Sequence, residues 1–117
     1  MWRNGIYAYA HYHSMIHEAM GVARGNVTVR LGGDNGQAID IVAGDVVILP
    51  AGTGHQRLAQ GPNVVVVGAY PPSGKYNLCR GTKTEDAKAV VSIPKVPRPA
   101  VVPVFGRNGP LTILWPA

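Results

Sequence analysis

The stretch GIYAYAHYHSMIHEAMGVARG, residues 5–25, sets three histidines and a glutamate between two glycines. Ile6 to His13 is aromatic-rich and has no breaker, and Glu18 to Arg24 runs into Gly25, a natural turn. Both segments read as strands. A helix over His13 to Ala23 is the weaker alternative, because Gly21 and Gly25 count against it. On a strand, residues two apart leave the same face, so the imidazoles of His11 and His13 converge. Glu18 follows after a four-residue gap that can carry a bend, and His55 arrives later, behind the turn Pro50 to Gly54. Three imidazoles and one carboxylate form a mixed nitrogen and oxygen donor set for one divalent transition-metal ion, whether Fe, Mn, Ni, Co, Cu or Zn.

Outward from this stretch, Asn26 to Leu31 alternates strictly, Gly32 to Gly36 tolerates positive φ, and Gln37 to Val42 resumes the alternation, which predicts a hairpin. Gly44 and Asp45 open an apolar run ending at Pro50, and His55 to Leu58 and Asn63 to Tyr70 are further strand candidates. Short strands with recurrent turns predict an all-β domain over residues 1–117, its core in residues 1–70. From Pro71 onward the prolines forbid ladder pairing in a central strand, so residues 71–117 read as an extended proline-rich arm with a helical turn near Thr84 to Lys88.

The composition excludes several classes. The chain has 117 residues, 46% hydrophobic and 15% charged, with 15 Gly and 10 Pro, which suits one domain of strands and tight turns. Its net charge of +5 is spread singly rather than in a basic run, which argues against nucleic acid. No apolar run approaches the ~20 residues that span a bilayer. The single cysteine, Cys79, permits no internal disulfide, and a cytoplasmic location is expected.

Two spacings then point to a family. Gly5, His11, His13, Glu18 and Gly25 resemble the first cupin motif, G-x5-H-x-H-x3-4-E-x6-G, at every fixed position. Gly44, Pro50, Gly52 and His55 resemble the second, G-x5-P-x-G-x2-H-x3-N, up to its last position, where Ala59 replaces Asn. Chance coincidence at these positions is on the order of one in a billion per frame. The resemblance covers residues 5–59, about half of the chain, and implies a double-stranded β-helix, the jelly-roll barrel, lined by His11, His13, Glu18 and His55.

Around these ligands the residues leave alternatives open. His17 is itself a good ligand, but it neighbours Glu18 and faces the other side of a strand; it is either peripheral or a catalytic base. Tyr7 and Tyr9 share the parity of His11 and His13, and Met20 and Val22 that of Glu18, so these either line a substrate pocket or build ordinary core. Arg57 shares the parity of His55 and either meets a substrate anion or sits on the rim. Cupins include dioxygenases, sugar isomerases and epimerases, and non-catalytic ligand binders, and fold does not choose among them. The full ligand set, Glu18 included as a catalytic group, favours a dioxygenase-type oxidoreductase acting on a small, compact molecule with one chelating end.

A chain of this length with open sheet edges and the apolar tail segments VVPVF and LTILW is expected to form a homodimer. Light scattering at micromolar concentration should report twice the chain mass; a monomer would contradict the expectation.

Overall fold

The computed structural model describes residues 2–115, and over residues 2–4 the backbone only. Seven strands form: β1 (Trp2–Asn4), β2 (Glu18–Arg24), β3 (Asn26–Leu31), β4 (Gln37–Val42), β5 (Val46–Leu49), β6 (His55–Gln60) and β7 (Val65–Ala69). They make a four-stranded sheet in the order β1-β7-β2-β5 and a three-stranded sheet in the order β4-β3-β6, all antiparallel. The described residues therefore build a mostly β fold of two facing sheets without a closed barrel.

The alternation read in the sequence places the core. Along β2 the buried residues are Glu18, Met20 and Val22, and along β3 they are Val27 and Val29. These rows pack with Ile6, Ile41, Leu49 and Val66 between the sheets, each large apolar side chain contributing roughly 1.5–3 kcal/mol on burial. Glu18 thus occupies the end of an apolar row, which is where the site begins. The chain changes sheets at Gly25, whose φ of +77° a side chain would strain. Its carbonyl accepts the Ala43 amide at 3.0 Å, tying that corner to the second crossing, between β4 and β5. The predicted hairpin forms with Asn26 opposite Val42 and Leu31 opposite Gln37.

Two expectations are corrected. Ile6 to His13 is not a strand: among these residues only His11 and Tyr12 make β-bridges. The pairing of His11 with His55 would put Tyr9 opposite Arg57 in a regular ladder. Instead the Arg57 amide donates to the Tyr7 carbonyl at 3.0 Å, so two extra residues are looped out and the ladder breaks. Nor is the segment after Pro71 wholly extended. It carries α1 (Lys83–Ser92), a 3-10 turn (Ile93–Lys95) and α2 (Pro110–Leu114). The expected turn at Thr84 to Lys88 lies inside α1, which begins at a capping box: Thr82 accepts the Glu85 amide and Glu85 reaches back to the Thr82 amide. Proline-counting overlooked that signal.

The Pro50 to Gly54 turn bonds back to the His13 carbonyl through the Gly52 amide, at 2.7 Å. Gly52 has φ of +90°, and a Cβ there would press on Ile93. Gly52→Ala should therefore lower unfolding free energy by about 1–2 kcal/mol, read as a reduced urea midpoint; an unchanged midpoint would show that the turn is free to relax.

Candidate metal centre

Backbone pairing delivers the proposed ligands. His55 opens β6, and its amide and carbonyl exchange hydrogen bonds with those of His11, at 2.9 and 3.1 Å. Tyr12 turns its own backbone groups the other way, onto Cys79, at 2.8 and 2.9 Å. The segment carrying both histidines is thus clamped between β6 and residues 77–79. Glu18 opens β2 opposite Leu49 and points inward by the alternation of that strand. All four side chains are at least 95% buried.

The hydrogen bonds decide what the rings present. Nδ1 of His11 lies 3.0 Å from the Tyr9 carbonyl, Nδ1 of His13 lies 2.5 Å from the Asn77 carbonyl, and Nδ1 of His55 lies 3.0 Å from the Thr53 carbonyl. A carbonyl only accepts, so each Nδ1 donates, and each neutral ring is left with a lone pair on Nε2. One nitrogen from each of the three rings falls within 4.8 Å of the others, a cluster that could hold a metal ion. Glu18 Oε1 stands 3.1 Å from His55 Nε2 and 3.6 Å from His13 Nε2, yet it is buried and accepts no hydrogen bond.

Three imidazole lone pairs brought together in a buried site, with a carboxylate oxygen beside two of them, repel, and a cation among them is the natural complement. The titration behaviour agrees. Burial, reinforced by the His55 charge, lowers His11 to about 4. Burial also acts to lower His13, but its contacts with Glu18 and the Asn77 carbonyl outweigh it and raise the ring. Burial alone would raise Glu18; the His13 and His55 imidazoles and the Tyr70 hydroxyl bring it far below the ordinary carboxylate range. The carboxylate is therefore ionised and the cluster calls for positive charge, which a proton on His13 or a metal ion supplies.

The four groups border a cavity of about 370 Å³ that is also lined by Tyr7, Met20, Tyr70 and Tyr76. Tyr9 stands behind Tyr7, stacked on it at 4.8 Å between centroids, and Arg80 covers the Tyr9 ring at 3.7 Å. Val22 belongs to the core. Arg57 does not line the cavity; its guanidinium donates to Gln60 at 3.2 Å. His17 lies outside it too. There the Ala51 amide donates to Nδ1 at 2.8 Å, so the proton sits on Nε2, which donates to the Pro97 carbonyl at 3.1 Å. Ala59 is exposed on β6 opposite Thr28, so the motif's missing Asn leaves no gap at the ligands.

Three participants escaped the sequence reading. Tyr70 shares the parity of the buried Val66 and Gly68, a usable signal. Tyr76 and Asn77 arrive on a loop after Pro71 and Pro72, and no local pattern marks them. Asn77 matters most: besides its carbonyl on His13, its Oδ1 accepts the amides of Ser14 and Met15 at 3.0 and 3.3 Å, and its Nδ2 donates to Ser14 Oγ at 2.7 Å.

No family profile matches the chain, and no solved structure matches it. The uncharacterized protein YjlB of Bacillus subtilis (strain 168) is 37% identical over 114 residues, which cover 97% of this chain and 69% of that protein. The chain belongs to the YjlB family. Its two small antiparallel sheets and histidine cluster are compatible with a cupin-like β fold.

Asn77→Ala would strip partners from two amides and one hydroxyl at the bend between His13 and Glu18. It should cost about 1–3 kcal/mol, measured by chemical denaturation, while Asn77→Asp, which keeps the acceptor, should cost less. Equal stability of all three proteins would remove Asn77 from this role.

Proposed function

We propose that this protein is a metal-dependent cupin, an oxidoreductase of the dioxygenase type acting on a small organic molecule. The observation that carries the reading is a buried cluster of three imidazoles, one nitrogen of each within 4.8 Å of the others, with the unpartnered Oε1 of Glu18 beside two of them, 3.1 Å from His55 Nε2 and 3.6 Å from His13 Nε2. His11, His13, His55 and Glu18 would hold one divalent ion, and three neutral imidazoles with one carboxylate accept most of the divalent transition series. When bound, such an ion supplies Lewis acidity and, if iron, copper or nickel, the capacity for oxygen chemistry.

The protein's own contribution is preorganisation. Each Nδ1 bond to a carbonyl fixes ring orientation and makes Nε2 a better donor. The Glu18 carboxylate offsets part of the ion's charge, and the Tyr70 hydroxyl beside it holds its rotamer. Met20, Ile6 and the tyrosines keep the reacting end of a substrate away from bulk water. The isomerase alternative gave the proton transfer to His17, but both nitrogens of that ring are engaged by backbone outside the cavity, so it has no free base there.

Elemental analysis of protein purified without added metal should find about one transition-metal ion per chain, and the double change His11→Ala with His13→Ala should abolish it while far-ultraviolet circular dichroism stays near that of the parent. Iron-loaded protein should consume oxygen with at least one of a panel of catechols, diketones, thiols and flavonols. Stoichiometric metal retained by the double variant would sink the ligand set; oxygen uptake with none of the panel would sink the oxygenase reading.

A further inference from the structure

Resting on the metal reading above, we infer that the tyrosine side of the cavity is a subsite for the flat, uncharged body of a chelating ligand: a single aromatic or conjugated ring system whose oxygen donors reach the ion. Three kinds of observation converge on this class.

The first is the wall itself. Tyr70 meets His13 edge-on, with centroids 5.8 Å apart at 86°, and meets Tyr76 at 5.4 Å and 66°. Across the mouth, Tyr7 and Tyr76 are 52% and 54% exposed, so two aromatic faces stand open to water beside the buried donors. Rings set nearly at right angles offer a flat guest both a face and an edge, the geometry that aromatic pairs prefer.

Charge is the second. Among the described residues, no lysine or arginine lines the cavity. Arg80 is spent on the outer face of Tyr9, and Arg57 on Gln60. A phosphate or second carboxylate on the ligand body would find no cation beyond the ion, while a cationic body would be repelled by it. A neutral body remains. A polyol fits poorly as well, because the wall offers it phenols only, and the Tyr70 hydroxyl already serves Glu18. Size is the third: about 370 Å³ lies at the small end of ligand pockets and suits one ring or a fused pair.

Acetohydroxamate and benzohydroxamate separate the ring from the chelating end, since both bind metal through the same two oxygens and differ in a methyl against a phenyl. Calorimetric titration of the metal-loaded protein should give benzohydroxamate roughly tenfold the affinity of acetohydroxamate, the gain expected for about one aromatic pair. Tyr76→Ala, a half-exposed loop position, should shrink that ratio severalfold with acetohydroxamate affinity and metal content unchanged, and Tyr76→Phe should restore it. Equal affinities at full metal content, or a ratio untouched by both Tyr76→Ala and Tyr7→Ala, would overturn the subsite and leave the metal reading standing. A protein that takes up no transition metal, and whose cavity binds benzyltrimethylammonium instead, would overturn both: without the ion, tyrosines around an ionised Glu18 make a cation cage.

Discussion

Everything at the centre hangs on two consecutive residues that turn their backbones in opposite directions. His11 gives both its amide and its carbonyl to His55, and Tyr12 gives both of its own to Cys79. A strand does this along its whole length; here it happens for one residue on each side. That is the minimum that holds a segment extended between two neighbours, and it leaves the rest of the segment free of sheet geometry. The looped-out residues before it carry Tyr7 to the cavity mouth, with Tyr9 stacked on it. A continuous ladder from residue 7 to residue 13 would have pinned them against β6 instead.

The second constraint is electrostatic. A carboxylate at the inward end of an apolar row is costly to bury unless something opposite in charge is buried with it. Among the described residues, no arginine or lysine stands there. The fold brings imidazoles, whose outer nitrogens are already committed to carbonyls, and so leaves the neutral state of the cluster without a donor for Oε1 of Glu18. A basic residue would satisfy Glu18 permanently, whereas the observed set leaves a cluster that could hold a cation instead.

Strand positions were readable from the sequence wherever alternation and turn residues agreed, as in β2 through β6, because those signals are local. The clustering of His11, His13 and His55 was legible from the motif spacing, whereas the strand parity assumed for His11 and His13 fails, since residues 6–13 form no strand. What stayed hidden depends on long-range contact. The break in the ladder before His11 comes from a two-residue slip against β6, which no pattern within residues 6–13 encodes. Asn77 and Tyr76 reach the site from a loop more than sixty residues away from His13, and only the fold tells which loop residue lands there. The helix α1 was legible, through Thr82 and Glu85, but the density of prolines around it argued more loudly for an extended chain.

His17 looks idle beside its three relatives, yet it joins parts of the chain that share no sheet. One nitrogen takes the amide of Ala51 in the turn before His55, the other gives its proton to the carbonyl of Pro97, and the ring lies edge-on to Trp115, 4.9 Å away. The turn that delivers His55 and the segment beyond α1 are thereby tied to the same side chain. In the language of cooperative units, a tie of this kind is expected to couple local opening of the tail to that of the turn. The tail's apolar and proline-rich sequence then bears, through one imidazole, on the turn before a histidine some forty positions upstream, with none of its described residues lining the cavity.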